Sequence, residues 1–507
     1  MNRTTLSLLA VATALAAITG YATLSEPETS GADTGKAAAV LPVERTSLLC
    51  PAPSTSDLAE TTYTSFTPAT EGAGGKGTAE LHEAAGQTDD KDGEDGEESG
   101  KKDAGKKKDQ DKPVLAAKEP GKPVGTEANG GTAPALFGTA EGRLAPGWTV
   151  QQTTEVTAGT GRGLQGVNCT APDTEFWFPG ASTDADRTDY VHLTNPDDSA
   201  AVVDIELYDK NGELETTVPD GVTVQPHATE PVLLSTLTSE KATNLTVHVT
   251  VRSGRVGAAV QALDDKVGGD WLAASTDPAG SLVLPGVPKD ATAVRLVAFT
   301  PDGSDADLKV QLASPSGLIT PAGHETLHVK SKMTAAVDLG DLTRGEAGSV
   351  VLTPTDRSVP VVAALRVIRG KGADQETAFI PATRPVGTRA TSAENSGKGT
   401  TLSLTAPTAT AQVKVTASAG TEGGEATTKT YSIKKGTTQN IVLEVPKSVK
   451  GSYALTVETV SGGPVYGART LAATEGETSW FTVQTLPDDR GTVKVPEAEQ
   501  DLSVLQK

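Results

Sequence analysis

His324-Glu325-Thr326-Leu327-His328 has the H-E-x-x-H spacing of zinc metalloproteases. On a helix, positions i and i+4 share a face. Two imidazoles one turn apart can then hold Zn2+ while the glutamate activates the bound water. The chemistry depends on that helix. In an extended chain a rise of about 3.3 Å per residue separates the histidines by more than about 12 Å, too far to share one ion. Pro321 and Gly323 mark a turn just before the motif, and Leu327 and Val329 alternate with polar neighbours. The segment therefore reads as a strand, and a zinc hydrolase built on His324, Glu325 and His328 is kept only as an alternative function.

Other reactive constellations are weaker. No Gly-x-Ser-x-Gly elbow, P-loop or dinucleotide fingerprint is present. The only cysteines, Cys50 and Cys169, read as one disulfide in an exported chain. Asp90-Lys91-Asp92-Gly93-Glu94-Asp95 lacks the sixth-position glycine and the flanking helices of a calcium-binding EF-hand. Asp184/Asp186 and Asp305/Asp307 lie in turn-forming sequence, and His192 and His248 are polar members of alternating strands. No catalytic or cofactor-binding residue is assigned, and no cofactor is expected.

The elements that would position any site are predominantly β. Phe, Trp and Tyr total only 18 of 507 residues, so the cores must be built from small and β-branched side chains. A net charge of −21 repels phosphate backbones and argues against nucleic-acid binding. Arg3 followed by the apolar stretch Leu6–Leu24 makes residues 1–25 a signal peptide or a single hydrophobic membrane-anchor helix, with 26–45 as linker. Residues 71–132 lack aromatics and carry an acidic block from Asp89 to Glu98, then a lysine-rich block from Lys101 to Lys112. Such a segment is expected to be a disordered insertion.

Alternating runs recur at a period of roughly 100 residues. Tyr190–Pro196, Ala293–Phe299 and Thr401–Pro407 occupy one place in the repeat. Small-residue strands at Arg255–Val260, Pro360–Leu365 and Pro464–Arg469 occupy another, followed by Trp271, Phe379 and Trp480. Gly163–Cys169 with Phe176-Trp177-Phe178 reads as the end of a partial earlier copy. The divisions are 46–180, interrupted by the insertion, then 181–272, 273–385 and 386–495, with 496–507 as tail. Units of this length point to an all-β chain of tandem immunoglobulin-like β-sandwich units; a β-propeller-like arrangement of four repeats is the alternative. The recurrent aromatics are expected to pack at unit junctions.

In Glu175–Gly180, Val191–Pro196 and Val256–Gln261 the chain resembles an uncharacterised family of exported actinobacterial proteins, domain of unknown function 5719. The resemblance implies an envelope location, a setting in envelope glycan biology, and no established functional residues. The leading expectation is a non-catalytic extracytoplasmic scaffold or binding protein of unknown ligand, secreted or held to the cytoplasmic membrane by its N-terminal segment. Its partner would be an envelope protein or glycan. An accessory subunit of envelope glycan assembly is the other reading. The strand reading of the H-E-x-x-H segment predicts that metal analysis of the purified protein finds no stoichiometric zinc that depends on His324 and His328.

Overall fold

The computed structural model describes residues 39–86, 112–475 and 478–495. The N-terminal apolar stretch, the core of the charged insertion and the C-terminal tail lie outside them. Among the described residues no helix is long and apolar enough to cross a membrane. Ala39–Pro42 pairs with Thr492–Val495 in a two-stranded ribbon.

Strand alternation builds the rest. Ala201–Asp209 and Ala411–Gly420 bury every second side chain over most of their length, as period-2 patterning requires. Asp209-Lys210-Asn211-Gly212 makes the turn after the first of these, with Gly212 at φ +123°, a conformation that favours glycine. The strands form four two-sheet sandwiches with one topology. In each, the first, sixth, third and fourth strands make one sheet, and the fifth, second, seventh and eighth make the other. In the second sandwich, for example, the first sheet runs Glu175–Ala181, Leu245–Ser253, Ala201–Asp209 and Val222–Val224. Its partner runs Ala228–Leu233, Arg187–Thr194, Gly257–Asp264 and Gly268–Leu272. A single short helical turn, Leu234–Leu237, is inserted there and buries both leucines.

Two sequence expectations need correction. The segment 71–132 is not wholly an insertion. Gly77–Glu83 and Leu115–Ala117 are the third and fourth strands of the first sandwich, and Val124–Asn129 is its fifth. Their few apolar side chains suffice because Ala79, Leu81, Leu115 and Ala117 are all buried in one core with Tyr63 and Trp148. The expected disorder of residues 87–111 lies outside the described residues. The other correction concerns the division at residue 180. Glu175–Ala181 hydrogen-bonds to Leu245–Ser253, so it opens the second sandwich instead of closing the first. Trp177 is therefore on a first strand, whereas Trp271, Phe379 and Trp480 are on eighth strands.

The sandwiches are joined head to tail into a ring. The first strand of each lies against the sheet containing the second and seventh strands of the next, and Arg389–Asn395 of the fourth lies against Thr149–Val156 and Ala59–Phe66 of the first. Three junctions are sealed largely by apolar groups. Val167, Ala259 and Trp271 join the first and second sandwiches. Trp177, Tyr208, Phe299 and Val362 join the second and third, and Val283, Ala313, Val351 and Tyr466 the third and fourth. The junction of the fourth with the first combines apolar contacts, Phe66 with Ala393 and Ala454 and Leu164 with Leu471 and Trp480, with polar ones: Gln151 Oε1 accepts from the Glu394 N–H (2.8 Å) and the Ser392 hydroxyl (3.2 Å), and Thr391 bonds Thr149 (2.8 Å).

The four eighth strands meet at the centre of the ring. There the fully buried Asp270 of the second sandwich gathers donors from all four. Its Oδ1 accepts from the Gly166 N–H at 2.9 Å and the Thr482 hydroxyl at 3.1 Å, and the backbone N–H groups of Trp271 and Phe379 also donate to its carboxylate. Burial still pushes its carboxyl well above the usual carboxylate range, against those donors. Gly166 is required for the approach, since a Cβ there would lie 2.2 Å from Gln484 Nε2. Cys50 and Cys169 are disulfide-bonded across 119 residues, clamping the first and last strands of the sandwich that carries the insertion. A loop of that length contributes roughly 3–5 kcal/mol in chain-entropy terms.

Two outcomes follow for stability. Asp270→Ala leaves donors from three neighbouring sandwiches without their acceptor and should cost roughly 3–5 kcal/mol in denaturant unfolding; Asp270→Asn, which retains one acceptor oxygen, should cost less. At the junction of the first and second sandwiches, His192 is buried against the edge of Trp271, with ring centroids 5.1 Å apart. Burial lowers its pKa to about 4, with Gln261 opposing. Between pH 6.5 and about 4 the unfolded chain takes up this proton and the folded chain does not, so the contribution of His192 to stability falls as pH falls through that window. The full loss is about 3 kcal/mol. Substituting His192→Asn should remove this component, so the stability difference between wild type and variant should change with pH between 4 and 6.5 and be flat above pH 7.5.

Candidate functional site

The first sandwich turns the outward face of its second, fifth and seventh strands toward the fourth. Cross-strand register decides what that face presents. Glu60 lies directly opposite Glu155 on one side and Asn129 on the other, and one row along Thr62 stands between Glu127 and Thr153. The result is three glutamates on one face within two rows. Residues paired in this way have Cβ atoms about 5 Å apart, where like charges are unfavourable.

The repeat serves as an internal control. The position of the Glu60/Glu155 pair is occupied by Thr188 opposite Leu263 in the second sandwich and by Ala293 opposite Ile368 in the third. In the fourth, the Ala472 N–H bonds the Gly399 carbonyl at the same place. Facing carboxylates occur only in the first copy.

Against this face the fourth sandwich sets the end of its first strand and the far end of its seventh. Between them lies a cleft of about 490 Å³. Its walls include Glu60, Glu127, Glu155 and Glu394, and Lys398 is the only cationic residue lining it among the described residues. Asn129, Asn395, Ser396 and Ser452 add amides and hydroxyls, while Leu164 and Leu471 supply a limited apolar patch. Glu394 Oε2 accepts from the Thr153 hydroxyl at 2.7 Å. Burial raises the Glu394 carboxyl, the Glu155 charge adds to this, and the Arg469 charge and the Thr153 hydrogen bond pull the other way.

Arg469 is fully buried and shares a strand face with Leu471 and Ala473, both of which line the cleft. Burial lowers its pKa to about 10, and Glu394 works against that shift. Among the described residues its Nε and Nη1 have no hydrogen-bond partner, and both are buried.

The residues singled out from the sequence are placed elsewhere. His324 and Glu325 precede the short strand Thr326–Val329, which carries His328, so the helix that H-E-x-x-H chemistry needs is not formed. Glu325 accepts from the Gly323 N–H, and His328 Nδ1 meets Asp307 at 2.8 Å with Asp305 on its other side. Asp184 and Asp186 make local turn and ion-pair contacts with Thr243 and Lys266. His248 stacks on Trp177 at 3.6 Å between Glu206 and Glu175. Trp177, Trp271, Phe379 and Trp480 are buried at junctions, which leaves no exposed indole face for stacking on a sugar.

The cleft residues were not singled out from the sequence. Glu60 and Glu155 look like ordinary solvent-facing members of alternating strands, and Glu127 falls in the stretch read as insertion. Aligning the first copy with the other three would have exposed Glu60 and Glu155, because glutamates stand there where the other copies have Thr, Leu, Ala, Ile or Gly; Glu127 has an acidic counterpart, Asp338, in the third.

No curated protein shows significant similarity to the chain. A family model described as a family of unknown function matches residues 124–446, more than half of the chain. The match starts at the fifth strand of the first sandwich and runs through the second and third into the fourth. The repeated sandwiches are thus the substance of the resemblance, and the chain belongs to the family of unknown function DUF5719.

Proposed function

We propose that the protein is a non-catalytic extracytoplasmic binding protein of the cell envelope, delivered by its N-terminal apolar segment. It presents the cleft between its fourth and first sandwiches to an envelope ligand. The observation that carries this reading is the cleft itself. Its volume falls in the roughly 300–1,000 Å³ range of small-molecule sites, and its walls are hydrogen-bonding side chains held on paired strands. The ring supports such a role, because a site on strands tied to a common centre is held in a fixed geometry. The extended conformation of the H-E-x-x-H segment favours binding over zinc hydrolysis.

The test is thermal unfolding of the full chain in the presence of soluble cell-envelope glycan fragments. A ligand at one hundred times its Kd should add about 2.7 kcal/mol of stability and raise Tm accordingly. Thr62→Trp, which fills the cleft from the middle of its floor, should abolish the shift. A fragment that binds equally well to Thr62→Trp would place the site elsewhere.

A further inference from the structure

We propose that the outer edge of the fourth sandwich docks an extended, acidic polypeptide segment of a partner protein, added as a further strand beside Thr427–Ile433. This surface is separate from the cleft, and the inference does not rest on the cleft being a binding site.

The edge itself is the first observation. Thr427–Ile433 is the last strand of its sheet and pairs only with Ala411–Gly420, so the main-chain groups on its other side meet no strand. Proteins blunt such edges by keeping them short. The other three sandwiches do so at the same place, where the fourth strands Leu115–Ala117, Val222–Val224 and Thr326–Val329 run for three, three and four residues. In the fourth sandwich the strand runs for seven, Thr-Thr-Lys-Thr-Tyr-Ser-Ile, with no proline or glycine to interrupt it.

The second observation is an open groove beside that edge. A volume of about 350 Å³ lies between Thr427–Ile433 and the facing edge strand Thr437–Ile441, lined by Val415, Tyr431, Ile441 and Leu443. Val442, which is 68% exposed, also lines it. An added strand sets alternate side chains over such a groove while its main chain pairs with the edge, so hydrogen bonds give affinity and the groove gives selectivity.

The third observation decides the partner's charge. Cross-strand register puts Lys429 opposite Val415 and Tyr431 opposite Val413, so the lysine lies on the face that carries the core. It is nevertheless exposed, with its ammonium 5.4 Å from the centre of the Tyr431 ring, and among the described residues no carboxylate pairs with it. An inward-pointing charge deters indiscriminate strand pairing. A strand with Asp or Glu opposite Lys429 turns that penalty into an ion pair. Thr427 to Lys435 holds three lysines and no carboxylate in a chain of net charge −21, so this edge is a local exception to the field of the protein. A second copy is the poorer occupant, because pairing two such edges brings lysines together and supplies a carboxylate to neither. Glu444 lines the groove on the side of the facing sheet, which confines the partner's carboxylate to the Lys429 side and leaves apolar contacts for its neighbours two residues away.

The experiment is fluorescence anisotropy of labelled peptides with the full chain. The probe is Thr-Val-Thr-Glu-Thr-Val-Thr, in which valine, glutamate and valine share one face; its counterparts carry Gln or Lys in place of Glu. The glutamate peptide should bind about fivefold more tightly than the glutamine peptide, and the lysine peptide more weakly than both. Lys429→Glu should reverse that order. The residue is exposed, so an unchanged Tm separates altered recognition from lost folding. N-methylation of one alternate set of amides in the glutamate peptide should abolish binding, and methylation of the other set should leave it, because only every second N–H of an added strand faces the edge. No binding of the glutamate peptide overturns the inference, and so does a preference for glutamate that persists in Lys429→Glu. Two methylation patterns with equal effect overturn strand addition. Sedimentation of the chain alone should show a monomer; a dimer that the glutamate peptide dissociates makes a second copy the occupant and overturns the acidic partner.

Discussion

The ring depends on one buried carboxylate. Asp270 takes donors from every sandwich, including a backbone N–H from the first and third and a hydroxyl from the fourth. No sheet ladder runs between the sandwiches' eighth strands, so side chains hold them together, helped by one main-chain bond from the Gly269 N–H to the Arg162 carbonyl at 3.0 Å. An isolated carboxylate would be very costly to bury; surrounded by fixed donors it becomes a directional tie among four bodies. The same crowding accounts for Gly166, where a Cβ would meet Gln484 Nε2 at 2.2 Å and the Thr482 side chain at 2.7 Å.

Head-to-tail packing around that centre has a second consequence. A heterologous interface repeated by one rotation must either close or continue, and here the fourth copy meets the first. Three junctions join consecutive sandwiches and are sealed by aromatic and aliphatic groups. The closing junction joins the two most distant parts of the described ring, and combines apolar contacts, Phe66 with Ala393 and Ala454 and Leu164 with Leu471 and Trp480, with amides, hydroxyls and Glu394. The cleft is found where the chain closes on itself, on the copy whose second and seventh strands set Glu60 opposite Glu155.

The H-E-x-x-H segment shows how topology overrides a local motif. Five residues match a catalytic pattern, but they sit at the start of a fourth strand whose counterparts, Val222–Val224 and Thr427–Ile433, pair with third strands in the same way. Position in the repeat, and not the identity of the five residues, sets their conformation. The same principle corrects the reading of 71–132: a segment with few apolar residues still forms three strands when the rest of the sandwich supplies the core.

Much of the fold was legible in the sequence because it depends on local and periodic properties. Period-2 alternation identifies strands such as Ala201–Asp209 without any long-range information, and the repeat of about 100 residues reveals related units because each must bury the same faces. The pairing of Cys50 with Cys169 follows from there being only two cysteines. Tertiary structure alone decided that four sandwiches close into a ring, that Trp177 opens a unit instead of ending one, and that Asp270 lies at the centre. It alone brought Glu60, Glu127 and Glu155 into one cleft with Glu394. These are contacts between residues up to several hundred positions apart, and no spacing rule relates them. A glutamate on the outer face of a strand looks solvated until the sheet that covers it is known.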